Sequence, residues 1–227
     1  MKNMPLNELV KRYALFFTSV LIQGFAIATI TFANIGTTPI SSPNYVISLH
    51  TPLTLGDTTM IFNVILITLQ LIILRSKIKD HVLDLIMQIP VIFLFSWMID
   101  FGMTCLNKVL PDILPYYMSW VLIVTGTVLL SISISLSVVA SLCMVPGEYF
   151  LKVFHPIVNK SFSFVKTFFD NFLVLTAVIL SLILTNFSAI EGVREGTLFS
   201  ALFTGPLVHL FIPKFMYLTK FLSAKDK

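Results

Sequence analysis

Residues 13–33 read YALFFTSVLIQGFAIATITFA, a run without one Asp, Glu, Lys or Arg. A helix needs about 20 mostly apolar residues to cross a bilayer core of about 30 Å. This run is long enough, and five more follow it, at about 58–74, 82–101, 117–143, 167–187 and 196–216. Unpaired backbone groups are costly in lipid, so helices are the expected form. The runs are also too long for barrel strands. The expected fold is therefore an all-α integral membrane protein of six transmembrane helices, one membrane domain over residues 1–227. The first run follows Lys11-Arg12, as in a signal peptide, and 31–33 (TFA) is a weak cleavage site. Its length exceeds a typical signal core, so it is expected to stay as a span.

Composition agrees. Charged residues are 11% of the chain and hydrophobic residues 56%, whereas soluble domains carry roughly 25% charged residues. The net charge of +4 does not mark a nucleic-acid binder, because the cations sit between apolar runs rather than in one patch. The two cysteines form no CxxC or Cys/His cluster, so no metal or other cofactor is expected. No GxSxG, HExxH or phosphate loop is present, and the chain is not expected to be an enzyme.

Lys and Arg give the orientation. Thirteen of the fifteen fall on one side: Lys2, Lys11, Arg12, Arg75, Lys77, Lys79, Lys152, Lys160, Lys166, Lys214, Lys220, Lys225 and Lys227. Lys108 and Arg194 fall on the other. Both termini are thus expected in the cytoplasm. Trp97, Tyr116, Tyr117 and Trp120 flank the outer ends of spans three and four, where amphipathic rings anchor.

The two halves echo each other. Gly24 matches Gly126, and 43–45 (PNY) matches 146–149 (PGEY). Asn63 matches Asn171, and 88–90 (QIP) matches 204–206 (TGP). The offsets of 102, 103, 108 and 116 rise steadily with element order kept. Each half has three spans, so the second is flipped: a 3+3 inverted repeat, over about 13–105 and 117–216, as in many secondary transporters. The long connections at 34–57 and 144–166 take equivalent places. The first holds Pro39, Pro43 and Pro52, and its stretch 36–43 is not expected to form a regular helix. Both are expected to re-enter the membrane and border a cavity.

Polar residues inside spans are functional candidates. Asp84 and Gln88 share a face of span three, and Gln88 and Asp100 lie roughly 18 Å apart along it at about 1.5 Å per residue. One site does not easily use both unless a long substrate or a path connects them. The expected substrate cavity is Tyr45, Asn63 and Gln88. Asp100 with Arg194 is the expected outer gate, and Glu148, Lys166 and Asp170 the inner gate. His209 is expected to pack against another helix. Ser131, Ser133, Ser135, Ser137 and Ser141 suit close helix packing.

The stretch from Gly36 through 39–43 (PISSP) to 45–48 (YVIS), Gly56 with Asn63, 88–90 with Asp100, 146–148 (PGE), Lys166 with Asp170 and 193–197 (VREGT) together resemble the YczE/YitT-like bacterial membrane proteins, in order and over nearly the whole chain. The YczE-like branch is nearer, since no soluble C-terminal domain of the YitT kind follows Met216. The resemblance implies a multi-pass bacterial membrane protein and no particular substrate. The function expected from all this is small-solute transport in the lipid bilayer, with homo-oligomers an open option. The rivals are a non-transporting accessory protein that binds a partner enzyme or lipid, and the substrate-binding subunit of an energy-coupling transporter.

Overall fold

A computed structural model describes residues 5–75, 78–111 and 113–222. Lys2, Lys77, Lys225 and Lys227, used in the charge count, lie outside the described residues, as does the side chain of Lys220. The described chain is helical: α1 (Leu6–Phe32), α2 (Ser42–His50), α3 (Leu55–Leu74), α4 (Ile78–Val109), α5 (Tyr116–Ala140), α6 (Pro146–Phe154), α7 (Phe162–Leu184), α8 (Glu195–Phe215) and α9 (Tyr217–Leu222). Six of these, all but α2, α6 and α9, are long and apolar enough to cross a membrane. Their outward surfaces carry Phe93, Phe168, Phe172, Leu198 and Leu202, each more than half exposed to the protein's surroundings. Such a surface suits lipid and not water.

The spans run past the apolar runs. α1 begins at Leu6 because the Glu8–Arg12 pair, one turn apart at 2.9 Å, continues the helix through polar sequence. Contacts between ends fix which termini share a face. Arg12 Nη1 donates to the Ala140 carbonyl (3.1 Å), joining the start of α1 to the end of α5. Gly196 N–H donates to the Ile35 carbonyl (2.8 Å), joining the start of α8 to the end of α1. The latter end, where Arg194 lies, is called outer below, and the Arg12 end inner.

The connections are not plain loops. A 3₁₀ turn at Pro39–Ser41 leads into α2. Stretch 36–43 was expected to exclude regular helix, yet Ser42 and Pro43 already belong to α2. Proline is tolerated there, because first-turn N–H groups have no intrahelical acceptor. α6 begins the same way on Pro146, and each of these two helices has nine residues.

Part of the packing has a counterpart across the halves, although α3 packs along α4 where, among the described residues, α7 and α8 make no comparable contact. α1 lies along α4, and α5 along α8; α2 packs on α7, and α6 on α3; α1 and α5 pack on each other at the centre. Ser131 and Ser135, fully buried on α5, each bond their own helix and also reach an α8 carbonyl, Thr204 at 3.4 Å and Val208 at 3.3 Å. Their small side chains let the two backbones come close, as expected, whereas Ser141, expected to do the same, is exposed just past the end of α5. His209 is instead exposed, on the side of α8 turned away from α5.

Candidate functional site: two clefts and a buried polar seam

An outer cleft of about 270 Å³ is lined by Asn34, Gly36, Tyr45, Leu49, Glu191 and Arg194, among others. Tyr45 reaches it from α2, and its hydroxyl donates to Asn34 Oδ1, just past the end of α1 (3.4 Å). His50 and Glu191 meet at 3.0 Å beside it. Burial, and then the charge of Glu191, raise the Tyr45 phenol above its ordinary range. Gly36 makes the turn with φ +122°, where L side chains are strained, and a Cβ there would stand 2.6 Å from Thr197 N and Oγ1. That closeness allows Thr37 N–H to bond Thr197 Oγ1 (3.1 Å), tying the turn to α8.

An inner cleft of about 340 Å³ is lined by residues that include Asp84, Ser141, Cys143, Glu148, Tyr149 and Lys152. The Tyr149 hydroxyl lies 3.2 Å from Asp84 Oδ2 and 2.8 Å from His81 Nδ1. It has one proton, so donation to Asp84 leaves His81 as the donor to Tyr149. Burial and the neighbouring Asp84 raise the Tyr149 phenol. Burial likewise pushes the Cys143 thiol up to about 11, and it raises the Glu148 carboxyl against the opposing pull of Lys166.

The clefts share three kinds of part. Each takes a tyrosine from a nine-residue helix, residues from the connection before it, and residues near the start of a span that begins on that face. Tyr149 was visible in sequence as the counterpart of Tyr45. Asn34, His50 and Glu191 gave no such signal.

The expected gates are rearranged. Lys166 and Asp170 do pair, at 3.0 Å, with Glu148 close enough to feel Lys166. Asp100 and Arg194 have separate partners. Arg194 bonds Glu195 (3.2 Å) and the Asn34 carbonyl (3.3 Å). Asp100 closes the start of α3: Oδ1 accepts Gly56 N–H (2.8 Å) and Oδ2 accepts the Thr54 hydroxyl (2.7 Å). Thr54 and Asp57 form a capping box on the same turn. A Cβ on Gly56 would lie 2.3 Å from Asp100 Oδ2, so this approach requires glycine.

Of the expected cavity, Tyr45 stands in the outer cleft, while Asn63 and Gln88 are buried in the α3–α4 seam. Gln70 and Gln88 are both fully buried; Gln70 Nε2 donates to the Pro146 carbonyl (2.9 Å), and Gln88 Nε2 to Gln70 Oε1 (3.0 Å). A carbonyl can only accept, so Pro146 sets both amide orientations and leaves Gln88 Oε1 without a protein donor. Among the described residues no group of His, Cys, Asp and Glu stands ready to hold a metal.

No curated protein and no solved structure matches this chain. One family model does, described as a family of unknown function (DUF6198) and covering residues 10–213. With all six long helices inside or overlapping that match, the chain belongs to this family of multi-span helical proteins, DUF6198.

Proposed function

We propose that the protein is a small-solute transporter of a bacterial cytoplasmic membrane, with both termini inside, built from two three-span halves in opposite senses. The observation that carries this is the pair of matching clefts at opposite ends, each built around the tyrosine of a short broken-off helix. The exchanged packing partners of the halves support it, as does the meeting of the short helices near mid-depth. There a Cβ on Gly147, at the start of α6, would meet both Ile40, in the turn that leads into α2, and Leu66 of α3. Leu66 is roughly 16 Å along α3 from its outer end at about 1.5 Å per residue. Both connections would then re-enter the membrane, and irregular backbone at that depth suits a cavity wall. The likeness to YczE/YitT-like proteins belongs to the same reading.

In this reading Tyr45 and Arg194 close the outer cleft on Asn34, and Tyr149 closes the inner cleft on Asp84 and His81. The cleft volumes suit a solute of few heavy atoms, near or below the roughly 300 Å³ lower end of ligand pockets. The test is a thermal-shift screen of small metabolites on the purified protein, followed by uptake of the hits into proteoliposomes. A hit that stabilises the wild type, loses its effect in Tyr45→Phe or Tyr149→Phe, and accumulates in vesicles is expected. Hits that bind both variants as well as wild type, or that enter no faster than into protein-free vesicles, would refute the reading.

A further inference from the structure

The polar residues of α4 step by fours from one cleft toward the other face: Asp84, Gln88, then Ser96 and Asp100, with Ile92 between. That is 16 residues, roughly 24 Å at about 1.5 Å per residue, against a bilayer core of about 30 Å. The line turns slowly round α4, so that Asp84 faces α6 while Gln88, Ser96 and Asp100 face α3, which carries Gly56, Thr59, Asn63 and Gln70 on one stripe, since steps of three, four and seven return to the same side. Two contacts pin the register, Gly56 to Asp100 at the outer end and Gln70 to Gln88 deeper in. A Cβ on Gly56 would lie 2.5 Å from the Ser96 carbonyl, so Thr59, one turn on, is held within a turn of Ser96.

This seam is buried and polar, and its polarity is unspent. Thr59, Asn63, Gln70, Gln88 and Ser96 are each at most 5% exposed. Among the described residues five buried side-chain oxygens lack a protein hydrogen-bond partner, and three of them, Thr59 Oγ1, Gln88 Oε1 and Ser96 Oγ, lie here. Helical Ser and Thr usually bond back to the carbonyl one turn earlier. Thr18, Thr29, Thr68, Thr104 and Ser131 all do so. Thr59 and Ser96 do not. Leaving a buried polar group unpaired is costly, and three along one seam point to occupants that both donate and accept. Water does both and typically makes about three hydrogen bonds when buried.

We propose that the α3–α4 seam binds a file of water molecules that carries protons between the outer end at Asp100 and the inner cleft at Asp84. A proton entering at one end passes along the file by successive O–H exchange and leaves at the other, so no net bond is made or broken. Asp57 stands beside the outer mouth on α3. At the inner mouth Asp84 faces His81 on its own helix, Tyr149, Glu148 and Lys152 on α6, and Cys143 before α6. Lys166 of α7 acts on Glu148 from behind. The inference needs no solute and is independent of the transport reading.

The test uses the full chain in liposomes loaded with a pH-sensitive dye, with valinomycin and potassium setting the voltage and no solute added. Wild type is expected to pass protons well above protein-free vesicles. Thr59→Val with Ser96→Ala, changes that remove unpartnered hydroxyls and so leave the melting temperature equal or higher, should cut the flux at least tenfold. Thr59→Ser, which keeps a hydroxyl, should keep the flux. Radiolytic hydroxyl footprinting should also oxidise buried Ile92, which sits on the file, and do so less in the double variant. Wild-type flux no greater than that of empty vesicles, or equal flux in the double variant, overturns the proposal. A solute screen that fails while proton flux behaves as described would refute the transport reading alone.

Discussion

Replacing Asp100 by Ala tests the arrangement at the outer end of α3. The carboxylate accepts two hydrogen bonds, from Gly56 N–H at 2.8 Å and from Thr54 Oγ1 at 2.7 Å, both at a helix N-terminus. Bonds to a charged acceptor contribute about 1.5–3 kcal/mol each, and a negative charge at a helix start adds about 0.3–1 kcal/mol. Asp100 is half-buried, so the low end applies and the loss is about 3 kcal/mol. For a chain of this size that is about 6–12 °C in melting temperature. Asp100→Asn keeps an acceptor for Gly56 and should lose about a third of that, near the roughly 1 kcal/mol of a neutral hydrogen bond. The assay is thermal unfolding in detergent followed by tryptophan fluorescence. A double-mutant cycle with Thr54→Ala should give a coupling of about 1 kcal/mol, within the usual range for bonded neighbours, while a cycle with Arg194→Ala should give none. A fall below 2 °C for Asp100→Ala, or coupling to Arg194 instead of Thr54, would refute the reasoning and restore the charge pair expected from sequence.

Gly36→Ala should prevent folding or lower the melting temperature by well over 5 °C, because both the positive φ and the 2.6 Å approach to Thr197 forbid a Cβ; yield and melting temperature in detergent check it. Cys143, with its thiol raised to about 11, should react with maleimide about tenfold faster per pH unit from pH 7 to pH 9, read by mass-shift labelling. Tyr149→Phe removes the link to Asp84 and His81 and should speed labelling of Cys143 severalfold at fixed pH. Glu148 has a raised folded pKa, so its contribution is fully present below the ordinary carboxylate range and is lost as pH rises through the raised value. Glu148→Gln should therefore raise the melting temperature at pH 8 and leave it unchanged at pH 4.

Six spans were legible because hydropathy alone separates lipid-facing helix from everything else. Their ends were not, since hydropathy marks the membrane and not the helix: α4 runs 32 residues through Lys79, His81 and Asp84 at one end and Lys108 at the other. The short helices escaped for a local reason. Nine residues are too few for a clear period, and their prolines read as breakers when they are starters. The partners of charged groups were least legible. Asp100 and Arg194 share a face, which limits the choice, but the carboxylate is claimed by the backbone of Gly56, and no charge count contains a backbone N–H.

Gln88 and Asp100 stand roughly 18 Å apart along the helix at about 1.5 Å per residue, and that distance argued in sequence against a single site. The structure keeps the distance and changes what it means. Gln88 lies deep because Gln70 holds it and Pro146 holds Gln70, so the amide chain fastens the start of α6 to the α3–α4 seam. Asp100 stays at the outer end because it caps α3. Between them sit hydroxyls that neither helix uses. A protein selecting only for stability would fill such positions with Val or Ala, as apolar replacement of unpaired buried groups is neutral or stabilising. Keeping Thr59 and Ser96 buried and unpaired between two helices is costly for folding alone, and it becomes reasonable when the same oxygens have a second occupant to hold.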